Sequence, residues 1–132
     1  MRHEEIENYQ DIYNGADVLI LPRRYGGNCL PMNEALSVGM PVVMPNISPN
    51  NEFLESMWLT QAKIINYFEP RTVIDIYETP PKLLAEKIDE LANMEPEQAW
   101  AHNQIANALA EKIDWIKMKD EYTQILEELC KS

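Results

Sequence analysis

One stretch of this chain has residue types and spacings that could hold a small anionic molecule. Between Val18 and Glu34 lie an arginine pair, Arg23 and Arg24, a glycine pair, Gly26 and Gly27, and then Asn28, Cys29 and Leu30. Glycines allow a phosphate to approach the backbone, because no Cβ stands in the way. A helix beginning around Pro31 would aim its unpaired N–H groups and the positive end of its dipole at the same spot. Glu34 falls one turn inside that helix, where its carboxylate could accept hydrogen bonds from hydroxyls beside the anion. Glu52 follows the helix-start signal Ser48-Pro49 and is a second acid of interest. Each feature also has a plainer reading. Glu34 and Glu52 suit early helix turns on electrostatic grounds alone. The glycines could simply turn the chain, and the two arginines could be solvated loop residues.

The elements around this stretch alternate. Residues 17–22 form an apolar strand-like run, and 41–45 form another. Unbroken apolar runs are expected of strands buried on both faces. Between them a short helix runs from about Pro31 to its stop at Gly39. Strand, glycine loop, helix and strand is the local build of a doubly wound α/β domain, in which ligands sit beyond the carboxyl ends of the strands.

Upstream, residues 3–14 read as an amphipathic helix with Ile6, Tyr9 and Tyr13 on one stripe and Gly15 as its stop. Downstream, Ser48-Pro49 starts a short helix through Leu54. Two β-branched and aromatic runs on either side of Glu69-Pro70-Arg71 read as a β-hairpin at about 61–78. The last third is helical. Thr79 caps a helix carrying Leu84, Ile88 and Leu91. Pro96 starts a second with Trp100, Ala106, Leu109 and Ile113 as its apolar side. Asp114 caps a third, striped by Met118, Tyr122, Ile125 and Leu129. His3 and His102 sit among polar residues and read as solvated.

The run ADVLILPRRYGGNCLPMNEALSVGMPVVMP, residues 16–45, resembles the donor-sugar loop of the retaining GT-B glycosyltransferases. Ala16, Asp17, Val18, Pro22, Gly27, Glu34, Ala35, Gly39, Pro41 and Val42 match that family's pattern in type and spacing. The segments ENYQDIYNGADV and IDWIKMKDEYTQILEEL are similar, more loosely, to the helix before the loop and to the family's closing helix. The resemblance implies a truncated, Rossmann-like GT-B C-terminal domain: a short parallel sheet with flanking helices, the whole of 1–132 forming one partial donor-binding domain. It also implies a ligand, a nucleoside-diphosphate sugar, with no further cofactor and no metal. Glu34 would hold the ribose diol. Backbone N–H groups near Leu30, with Arg23 and Arg24, would face the diphosphate. Gly27 and Asn28 would lie beside the sugar, and Glu52 near the donor.

Three departures bear on catalysis. The family's first glutamate stands eight positions before the second, and here that position is Gly26, so no catalytic residue can be assigned. The Arg-to-Lys pair that clamps the donor diphosphate has no counterpart in MRHEEIENYQDIYNG. The N-terminal acceptor-binding domain is also missing from this sequence. The expected function is therefore that of a glycosyltransferase fragment or homologue that binds a nucleotide sugar and is inactive in isolation. The alternative is a non-catalytic nucleotide-binding or assembly module derived from that fold.

Composition narrows the partners. With 132 residues, 45% hydrophobic and 25% charged, the chain can bury one real core. Its formal net charge of −11 argues against nucleic acid or an anionic membrane as a partner. Cys29 and Cys130 make no disulfide framework, and Cys29 reads as small loop filler. The start MRHEEIENYQ lacks the apolar core of a signal peptide and no run approaches membrane-spanning length, so a soluble cytoplasmic protein is expected. The strand at 17–22 lacks the neighbour it has in the family, and the closing helix lacks the domain it would cross to. A homodimer or higher assembly through one of those surfaces is expected, the alternative being that the first helix folds over the strand edge and keeps the chain monomeric.

Overall fold

The computed structural model describes residues 8–69 and 71–131. Its centre is β2, Val42–Pro45, whose four residues are all buried. β1, Leu19–Ile20, and β3, Leu59–Thr60, pair with it in parallel on either side, in the order β1-β2-β3. Leu19 and Ile20 lie opposite Val42 and Val43, while Met44 and Pro45 lie opposite Leu59 and Thr60. A strand paired on both edges and covered on both faces can be apolar throughout, which explains the unbroken Pro-Val-Val-Met run. Bonds from Leu19 N to Pro41 O and from Leu21 N to Val43 O extend the β1 pairing slightly beyond the strand proper. The other edge of β1 pairs with no strand among the described residues.

α1, Leu30–Ser37, connects β1 to β2 and buries Met32, Ala35 and Leu36. Pro31 sits in its first turn, where a missing N–H costs nothing. Gly39 ends it at φ +76°, a left-handed conformation that a side chain would oppose. A Cβ at Gly39 would also stand 3.1 Å from Asn107 Nδ2, so the helix end packs closely against α4, Pro96–Lys112. The Asn103 amide, oriented to donate, reaches Gly39 O at 3.2 Å and Ala99 O at 3.1 Å.

α2, Asn50–Phe53, is the short helix expected after Ser48-Pro49. A 3-10 turn, Ser56–Trp58, then delivers Trp58 into the core with none of its surface exposed. The hairpin is present as β4, Lys63–Phe68, antiparallel to β5, Ile74–Glu78, and forms a sheet of its own. It is tied to the β1 exit loop by Tyr77 N donating to Arg24 O at 2.8 Å and by an edge-on contact of the Tyr25 and Phe68 rings. The remainder is helical: α3, Pro81–Ala92, then α4, then α5, Trp115–Lys131. The chain is thus mixed α/β, with a short parallel three-stranded sheet flanked by helices and a helical C-terminal part.

Four expectations change. The helix read over 3–14 is, within the described residues, a 3-10 segment at Tyr9–Tyr13; Ile6 and His3 lie outside them. An Asn-Gly stop after so short a run leaves too few turns to carry a stable α-helix. Thr79 is not the cap of α3, because Pro80 takes that place and Pro81 the first helical one. Trp100 is 65% exposed, since α4 turns Ala106 into the core with Ile105, Leu109 and Ala110 beside it. His102 is not simply solvated: its Nδ1 accepts a 2.9 Å hydrogen bond from the Trp58 indole N–H. With Nδ1 serving as acceptor, the neutral ring carries its proton on Nε2.

Candidate functional site

β1 ends at Ile20, and the chain crosses a glycine loop into α1 at the carboxyl edge of a parallel sheet. That is the arrangement the spacing called for, and the loop's own contacts give it shape. Arg23 Nη1 donates to Gly27 O at 3.1 Å, folding the guanidinium back over the glycines. Gly26 has φ +129°, and a Cβ there would run into the Arg23 guanidinium at Nη2. The position where the resemblance expects a glutamate therefore has a glycine-only backbone with an arginine lying across it. Arg24 is anchored to the hairpin through its carbonyl, and its side chain is exposed.

At the helix start, the Asn28 side-chain oxygen accepts from Cys29 N at 2.8 Å. Cys29 itself is buried in the core, as loop filler should be. Leu30 is exposed at the mouth of the helix, and the first-turn N–H groups have no partner inside the helix. Glu52 accepts a 2.6 Å bond from Ser48 Oγ, a local tie between the start of α2 and the residue before Pro49.

Glu34 is the most engaged of the expected site residues. Its Oε2 accepts hydrogen bonds from Tyr13 Oη at 2.6 Å and from Tyr9 Oη at 2.9 Å. The short Tyr13 bond is typical of a charge-assisted O–H to carboxylate contact. Burial, followed by the Glu34 hydrogen bond and charge, raises the Tyr13 pKa well above the ordinary phenol value. The hydrogen bond to Glu34 is the main cause of the smaller rise at Tyr9. Both hydroxyls are thus held protonated and aimed at one carboxylate oxygen.

The Glu34 side chain lines a cleft of about 730 Å³. Tyr9 and Tyr13 line it together with His102 and Asn103 of α4. Asp17, Val18, Met40 and Pro41 bring in the entering ends of β1 and β2. No residue from 22 to 30 lines this cleft. The structure therefore divides the expected site in two. The arginines, glycines, Asn28 and Leu30 gather at the carboxyl end of β1, while the Glu34 carboxylate faces the cleft on the tyrosine side. Among the described residues no lysine or arginine lines that cleft, which suits hydroxyls better than a diphosphate.

Tyr9 and Tyr13 were legible as one stripe, but nothing in the spacing joins them to a residue more than twenty positions away. Among the described residues no group of three or more His, Cys, Asp or Glu could hold a metal ion, and no helix is long and apolar enough to cross a membrane. Comparison of the chain with protein-family models, curated proteins and solved structures gave no match.

Proposed function

We propose that this chain is a donor-binding unit of the retaining GT-B glycosyltransferase type, taking a nucleoside-diphosphate sugar as its ligand. The observation that carries the reading is the Glu34 carboxylate, which already accepts two hydroxyl donors at hydrogen-bonding distance in a cleft that no described lysine or arginine lines. A ribose diol is the same donor pair on a smaller frame. In this reading the diphosphate lies toward the N-terminus of α1, within reach of Arg23, Arg24 and the N–H of Leu30. The sugar rests near Gly27 and Asn28, and Glu52 lies at the margin. Charge developing on the leaving diphosphate is stabilised by fixed donors rather than by an acid–base pair. With Gly26 at the first-glutamate position, glycosyl transfer needs groups from a second, acceptor-binding domain, so the chain alone is expected to bind donor without turnover.

Titration calorimetry with uridine, adenosine and guanosine diphosphates tests this. The Glu34→Ala variant should weaken binding by about 1–3 kcal/mol, through loss of charge-assisted hydrogen bonds. Deoxyribose analogues should bind the wild-type chain poorly. Equal affinity for wild type and variant would remove Glu34 from the site.

The second reading, a non-catalytic assembly module, is favoured by two surfaces. One is the edge of β1 that pairs with no strand among the described residues; the other is the exposed apolar stripe of α5. In that case the chain forms a homodimer through one of them and shows no heat with any nucleotide.

A further inference from the structure

We infer that the segment Tyr9–Tyr13 is a strap that occupies the hydroxyl-binding carboxylate of Glu34 and must release it before a nucleotide ribose can bind; this rests on the ribose reading of Glu34 given above. Two tyrosine hydroxyls converge on Oε2 from one short segment, at 2.6 and 2.9 Å. A carboxylate has about four lone-pair directions, so these hydrogen bonds alone would not saturate it. The rings stand beside the carboxylate as walls of the same cleft, however, so an incoming diol meets competing donors and occupied space together.

The strap is built to yield. It is a single 3-10 segment of five residues, a geometry with poorer hydrogen bonds than an α-helix. Beyond the helix proper it closes with Asp11 N to Asn8 O and Asn14 N to Asp11 O, both local. Gly15 follows at φ +74°, and no described residue lies within 4 Å of where its Cβ would stand, which suits a pivot. Along the segment, Tyr9 and Ile12 are exposed, and Tyr13 packs against the core. Segments with few buried contacts open at low free-energy cost. Release therefore starts at Tyr9, while Tyr13 keeps the strap tethered.

A closed strap lowers apparent affinity by the fraction of molecules in which it is open. Removing its donors should raise that fraction. The experiment measures binding of uridine, adenosine and guanosine diphosphates to the wild type, to Tyr9→Phe and to the Tyr9→Phe/Tyr13→Phe double variant. Hydrogen exchange of amides 8–14 is followed in the same samples. The double variant should bind about tenfold more tightly, the equivalent of one modest hydrogen bond, with Tyr9→Phe in between. In the wild type, nucleotide should speed exchange across 8–14. Tyr9 is exposed, so its single variant retains the fold and keeps the comparison valid if the double variant unfolds.

If the wild type binds nucleotide and the phenylalanine variants bind equally or more weakly, the strap is overturned while the ribose reading stands. The tyrosines would then be bystanders or ligand contacts. If no nucleotide binds wild type or variants, the ribose reading falls and the strap falls with it.

Discussion

β2 is apolar throughout and α5 along one stripe, yet the two end in opposite environments. Val42, Val43 and Met44 of β2 are wholly buried, whereas Tyr122, Ile125, Leu126 and Leu129 of α5 are all exposed. Residue type does not separate β2 from the stripe of α5, since both carry large apolar side chains, although the rest of α5 is charged and polar. What differs is the number of directions from which neighbours arrive. β2 has a strand on each edge, α1 against it and Trp58 packed into the same core. α5 follows Ile113 and Asp114 at the end of α4 and buries no residue of its own. Apolar patterning thus states that a surface must be covered, while topology decides whether this chain covers it.

The largest test of that contrast is Trp58. It is fully buried, and its N–H is satisfied by His102 Nδ1. Trp58→Ala should cost about 3–5 kcal/mol of unfolding free energy in a urea titration, the range for emptying a buried aromatic site. His102→Leu keeps the volume but strands the indole N–H, and should cost about 1–3 kcal/mol. A loss under 0.5 kcal/mol from Trp58→Ala would mean that the core is not organised around this residue.

The same contrast explains what could be read in advance. β2 and the start and stop of α1 were legible because Pro31, Gly39 and the apolar run are local signals with local causes. The hairpin was legible for the same reason, from two β-branched runs around a turn. β3 was not, because Leu59 and Thr60 form a strand only by pairing with Met44 and Pro45. The Trp58–His102 bond spans 44 positions, and the Tyr–Glu34 bonds span 21 and 25. Chain spacing carries no record of such contacts. The site suffered accordingly: its residues were individually placed, but their division between the loop and the cleft depended on the fold. Trp100 shows the converse, an aromatic at helical spacing that the packing of α4 leaves outside.

Gly26 gives an intermediate effect, since the loop lies between the buried sheet and the exposed hairpin. Its φ of +129° is one that side chains strongly resist, and Arg23 lies where a Cβ would go. Gly26→Ala should therefore destabilise by about 1–3 kcal/mol and shift the Arg23 guanidinium off Gly27 O, visible in its side-chain NMR resonances. The Gly26→Glu variant, which introduces an acid at this position, should carry the same strain and gain no activity. If it proved as stable as the wild type, the loop backbone would be adaptable and its glycine not required by the conformation.

The smallest expected effect is on α5. Ile125 is 48% exposed on a helix that buries nothing. In a monomer, Ile125→Ser should change stability by no more than about 0.5 kcal/mol, because it removes an apolar group that water already reaches. A dimer through α5 predicts something else. Burial by a second copy would make the unfolding midpoint rise with protein concentration, and the variant would abolish that rise. Unfolding at two concentrations, with light scattering against the 15.3 kDa monomer mass, separates the cases. A dimer that persists unchanged in Ile125→Ser places the interface at the β1 edge instead. A dimer lost in the variant places it on α5, and the contrast with β2 then reduces to which chain supplies the cover.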